Sequence, residues 1–167
     1  MDTHRVWRFG DNVDTDAIVP GRFLANWNIH PEQLRKYCFV DVRPAFSMEA
    51  APGDIIVAGC NFGCGSSREA APVSIKVSGV SMVIAESFGR IFYRNSINIG
   101  LLAIAAPAAV AGIQDNDRIT VDIFRGVIRN MTRQAEYTFT PFPPFIGKLV
   151  ELGGLGPYVQ SRLALEG

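Results

Sequence analysis

Three stretches of the chain have an unbroken apolar centre: DIIVAG (54–59), VSMVIAES (80–87) and LLAIAA (101–106). A strand wetted on one side alternates apolar and polar positions. A strand covered on both sides reads instead as a continuous apolar run closed by turn residues. The three runs therefore predict buried strands, and GRIFYRNSIN (89–98), between the second and third, predicts a helix. VWRF (6–9) alternates and predicts another strand, followed by a loop over GDNVDTD (10–16). PEQLRKYCF (31–39) predicts a short helix opened by Pro31 at its first position. Beyond residue 117 the period changes. RITVDIF, GVIRNMT and AEYTFT, within 118–140, alternate around Gly126 like antiparallel strands, and PPFIGKLVELGG (143–154) and the last dozen residues predict helix. The expected fold class is α/β: one domain over 1–167, with a mixed sheet covered on both faces and a β-rich C-terminal part.

A chain of 167 residues can bury a real core. Hydrophobic residues make up 48% and charged residues 19%, as in soluble globular proteins. Lys+Arg and Asp+Glu are both 16, so there is no basic excess of the kind that non-specific nucleic-acid binding needs. The longest apolar stretch, 99–113, is too short for a bilayer and contains Pro107. The first residues are polar and charged, unlike a secretory signal. Three cysteines form no disulfide framework, so a reduced, cytoplasmic protein without membrane attachment is expected.

Candidate chemistry concentrates in GCNFGCGSSREAAP (59–72). The loop lacks the Gly-Lys-Ser/Thr end of a phosphate-binding loop. Arg68 stands where a dinucleotide fingerprint needs its third glycine, and neither Ser66 nor Ser67 sits in Gly-x-Ser-x-Gly. A Ser-His-Asp triad would have to recruit His4 or His30 from far away in sequence. Cys60 and Cys64 could begin a metal site, but the next position of a three-cysteine run is Ser67, so no metal is expected on this chain. Ser66-x-x-Glu69 has the form of a capping box that would start a helix. Glycines at 59, 63 and 65 imply close approach of something to the backbone. With Arg68 beside free amide groups, these features suit a small anion such as a carboxylate. The second constellation, DNVDTDAIVPGRF (11–23), carries Asp11, Asp14 and Asp16. Its spacing fails the EF-hand pattern, leaving turn and cap roles or a divalent-ion site.

Together with IAESFGRIFYRNSINIGLLAI (84–104), these blocks resemble the 3-isopropylmalate dehydratase (isopropylmalate isomerase) small subunits, the separate-chain form of the aconitase swivel domain, over roughly 5–165. The resemblance implies a layered β/β/α swivel-type fold. It also implies a hydro-lyase subunit of leucine biosynthesis, active only with a large subunit that carries a [4Fe–4S] cluster on its own cysteines. No cofactor is then expected in this chain. Ser66 would be the base that removes and returns the carbon-bound proton. Ser67 and Arg68 would hold a substrate carboxylate, and Asp16 would pair with a histidine of the large subunit. The loop Arg22, Phe23, Leu24, Ala25 would face the substrate's variable group. Homoaconitase-type relatives carry arginine at the position of Ala25. Alanine there favours an apolar group such as isopropyl, with Arg22 a candidate substrate contact and Phe23 and Leu24 an apolar wall. Citramalate, 2,3-dimethylmalate and homoaconitate remain alternative substrates, and a non-catalytic anion- or partner-binding module is the alternative of another class.

Overall fold

The computed structural model describes residues 2–166, the side chain of Glu166 excepted. Seven strands form one mixed sheet: β1 (His4–Arg8), β2 (Ile55–Ala58), β3 (Met82–Ala85), β4 (Leu102–Ala105), β5 (Arg118–Asp122), β6 (Val127–Asn130) and β7 (Ala135–Thr138). The order is β4-β3-β2-β1-β5-β6-β7. The first four strands are mutually parallel, with Trp7 beside Ile56, Ile56 beside Val83 and Val83 beside Ala103. β5, β6 and β7 join in antiparallel register. The change of period in the sequence marks this switch, because the parallel part is covered on both faces.

Side chains alternate between two cores. Trp7, Ile56, Ala58, Val83 and Ala85 face one cluster with Phe39, Phe46 and Phe92. Val6, Ile55, Val57, Ile84 and Ile104 face the other with Val110, Ile113, Ile128 and Ile146. The first face is covered by α1 (Thr15–Ile18), a 3-10 helix (Pro31–Tyr37), α2 (Pro44–Glu49), α3 (Ala70–Val77) and α4 (Arg90–Asn98). The second is covered by α5 (Pro107–Gly112) and α6 (Pro144–Glu151), while β7 curls over to pack on α5. The last helix, α7 (Leu155–Glu166), packs against α6 and α4. No described helix is long and apolar enough to cross a membrane.

Several local expectations need correction. The 10–16 segment is not all loop, since α1 begins at Thr15 with Asp14 as its cap, accepting from the Ala17 amide at 2.7 Å. The 31–39 helix is 3-10 and ends at Tyr37. Pro107 does not merely break an apolar run; it opens α5, as Pro44 opens α2. The Ser66–Glu69 capping box does not form. The residue before α3 is Glu69, and its side chain makes no cap bond. Pro72 explains the shift. A helix begun at Ser66 would put Pro72 in its interior, where it lacks a needed amide. Begun at Ala70, the helix holds Pro72 as its third residue, where that amide has no partner anyway.

Candidate active site

The 10–15 and 59–69 loops leave the carboxyl ends of the parallel neighbours β1 and β2 and are laced together. The Asn12 amide donates to the Cys60 carbonyl (2.9 Å), Gly63 to Val13 (2.7 Å) and Thr15 to Cys64 (2.9 Å). Asp11 Oδ1 accepts from the Cys60 amide at 2.9 Å. A Cβ on Gly59 would lie 1.8 Å from that same oxygen. At Gly63, whose φ is +78°, a Cβ would fall 2.1 Å from the Phe92 ring. What approaches the backbone at these two glycines is therefore the protein itself and not a ligand.

The lacing sets Ser66 against Thr15 and Arg68 against Asp16, the next residue along. Arg68 Nη1 donates to Asp16 Oδ1 and to the Val19 carbonyl, both at 3.0 Å. The Gly21 amide donates to the same Asp16 oxygen at 3.0 Å. Gly21 and then Arg68 hold the Asp16 carboxyl below the usual carboxylate range. The arginine side chain is 24% exposed and the aspartate 68%, so a rooted guanidinium faces an open carboxylate. The Ser66 hydroxyl lies 2.8 Å from the Thr15 hydroxyl, and the Ser66 amide donates to Thr15 Oγ1 at 3.3 Å. Thr15, buried at 3% exposure, had no signal of its own in the sequence beyond its place between two aspartates.

The other predicted residues spread around this centre. Ser67 lines a separate hollow of about 280 Å³ with Glu69, Arg94 and Asn95. Arg22 is tied to Asp41 at 2.5 Å and lies over the Phe23 ring, which stacks on Tyr37 with centroids 4.1 Å apart. Arg22, Phe23 and Ala25 line a cavity of about 290 Å³ with Trp27, His30 and Tyr37. Leu24 packs on the first core and does not line that cavity. Trp27 and Tyr37 supply apolar surface in its place.

The alternative chemistries lose their geometry. Asp11, Asp14 and Asp16 each accept from a backbone amide, in turn and cap roles. His4 sits at the amino end of β1 against Gly53, the opposite end from the serine loop, and His30 pairs with Glu32. Cys38 is buried and its thiol is pushed up to about 12, by burial above all. The Cys60 thiol is also raised, by desolvation and then by Asp11. Among the described residues no three His, Cys, Asp or Glu side chains group as metal ligands.

The loops that carry the Ser66 hydroxyl, the Arg68 guanidinium and the Asp16 carboxylate lie together at the carboxyl end of a parallel sheet. The class is that of the aconitase C-terminal domain, a family that matches residues 25–109. A solved 3-isopropylmalate dehydratase from Methanocaldococcus jannaschii superposes with a TM-score of 0.89 at 38% identity, covering 98% of this chain and 96% of that one. The 3-isopropylmalate dehydratase small subunit of Heliobacterium modesticaldum is 51% identical over 97% of this chain and 96% of its own length. That of Aquifex aeolicus is 52% identical over 96% and 95%. The chain belongs to the family of 3-isopropylmalate dehydratase small subunits.

Proposed function

We propose that this chain furnishes the proton-transferring and carboxylate-binding half of a hydro-lyase that interconverts 2- and 3-isopropylmalate, in a cleft shared with a large subunit. The observation that carries this reading is the pair of contacts that tie the serine loop to neighbouring residues of the 10–16 segment, Ser66 to Thr15 and Arg68 to Asp16. Ser66, as alkoxide, takes the proton from the carbon next to a substrate carboxylate. The electron pair of that C–H bond becomes the new C=C bond as the neighbouring C–O bond breaks, and the departing hydroxide leaves as water with a proton from the large-subunit histidine that pairs with Asp16, which takes a proton back from the water added in rehydration. Rehydration with the opposite regiochemistry has Ser66 return its proton to carbon. Arg68 binds the carboxylate and spreads the charge that develops in proton removal. Its contact with Asp16 keeps the fork oriented before substrate arrives. Asp16 stays ionised at neutral pH and can accept from a histidine of the large subunit. A cluster held by that subunit would supply Lewis-acid assistance to the leaving hydroxyl.

The cavity lined by residues 22–37 has room for a small substituent on the substrate, with an apolar wall and a polar one of Asn26, His30 and Gln33. Phe23, Ala25, Trp27 and Tyr37 line it, and its cation, Arg22, is occupied by Asp41. Reconstitution with the large subunit tests the whole reading. Turnover of isopropylmalate well above citramalate and homoaconitate supports it. Preference for one of those others moves the substrate, and failure on all of them by an assembled complex leaves only a binding module.

A further inference from the structure

The reading of Ser66 as a base leaves a physical difficulty, since a serine hydroxyl is a very weak acid and its alkoxide needs close donors. The helix that might have supplied them starts four residues later, at Ala70. The side-chain hydroxyl against Ser66 Oγ is that of Thr15, at 2.8 Å. We infer that Thr15 is a positioning residue for the reaction: it fixes the Ser66 side chain and donates its hydroxyl proton to the Ser66 oxygen when that oxygen is an alkoxide. This inference rests on the base role proposed for Ser66.

The hydrogen-bond inventory sets the direction. In the resting state either hydroxyl can donate across the 2.8 Å contact. An alkoxide has no proton to give, so the bond then runs from Thr15 to Ser66. The Thr15 oxygen can do this while still accepting from the Ser66 amide at 3.3 Å, because a hydroxyl has one donor and two acceptor sites. Thr15 is itself firmly held. It is 3% exposed, its amide donates to the Cys64 carbonyl at 2.9 Å, and its carbonyl accepts from the Val19 amide at 3.1 Å. Residues 14 and 64 also form a parallel bridge, which locks the two loops in register. Gly65, with φ at +101°, makes the turn that lays Ser66 against Thr15, and the space a Cβ would take there is bordered by Thr15 Oγ1 at 3.5 Å. A preorganised donor of this kind needs no reorganisation as charge develops. Donation to a charged partner is worth roughly a tenfold to hundredfold change in rate.

The test compares variants in the reconstituted two-subunit enzyme acting on isopropylmalate. Thr15→Val keeps the shape and removes the hydroxyl; Thr15→Ser keeps the hydroxyl and removes a methyl. The expected result is a loss of roughly ten- to a hundredfold in kcat for Thr15→Val, with KM within about threefold, and a rate within about threefold of wild type for Thr15→Ser. Should Thr15→Val not assemble, Thr15→Ala against Thr15→Ser gives the same comparison. A hydroxyl-free variant at full rate while Ser66→Ala is inactive overturns the inference and leaves the base role standing. A Thr15→Ser variant as slow as Thr15→Val makes the site one of packing and also overturns it. Full rate in Ser66→Ala removes the base role itself, and this inference with it.

Discussion

Replacing Arg68 with lysine keeps a positive charge and removes the fork. In the free chain Nη1 already serves two acceptors, Asp16 Oδ1 and the Val19 carbonyl. The remaining donors of the guanidinium are those a substrate carboxylate can use, two at a time. A lysine ammonium has three donors around one point and cannot hold Asp16, Val19 and both carboxylate oxygens. Two charge-assisted bonds at about 1.5 kcal/mol each amount to about 3 kcal/mol, or roughly a hundredfold in kcat/KM. Folding should hardly notice, because the Asp16 partner is largely exposed and such pairs contribute about 1 kcal/mol or less. Steady-state kinetics of the assembled enzyme on isopropylmalate, run beside a thermal melt of the small subunit, measures both. Kinetics within about threefold of wild type would refute the carboxylate-binding role, on the magnitude just given. A melting point lowered by roughly 10 °C would assign Arg68 to structure instead.

Other consequences can be checked independently. Gly63→Ala should cost about 3 kcal/mol, from a left-handed φ and from displacement of Phe92, and should lower the melting temperature by roughly 6–12 °C. Asp115 is held below the usual carboxylate range, chiefly by Arg43, whose two nitrogens reach its oxygens at 2.9 and 2.7 Å. Its stabilisation is present above the unfolded pKa and lost as pH falls through the lower folded value. Asp115→Asn should therefore cost about 1 kcal/mol at pH 7, with a smaller difference from wild type in strong acid, as read by urea titration at several pH values. Cys38, buried with its thiol near 12, should stay unlabelled by a thiol reagent at pH 8 while the protein is folded and react on unfolding. Ala25→Arg should lower turnover of isopropylmalate more than that of a tricarboxylic homologue, in a competition assay on the assembled enzyme.

The layering was legible because β2, β3 and β4 are buried on both faces, which turns each into a short unbroken apolar word. The antiparallel part was legible from its alternation. The short helices α2 and α5 were not, since each is six residues long and opens on a proline, a signal that also ends helices. The three polar groups of the site could be picked out by type and by resemblance, and their meeting depends on loop lacing that no spacing rule encodes. Thr15 stayed hidden for the same reason. A threonine between aspartates looks like a turn residue until the chain brings Ser66, 51 positions away, onto its hydroxyl. The capping-box pattern misled because Pro72, three residues past Glu69, shifts the start of α3.

The central claim is that this polypeptide brings the group that moves the carbon-bound proton. It is tested most directly by the forward and reverse isomerisation rates of the assembled enzyme carrying Ser66→Ala, with assembly and the melting point measured on the same sample. The account predicts an intact complex whose rate falls by roughly a thousandfold or more in both directions. An intact complex turning over within about tenfold of wild type would contradict it.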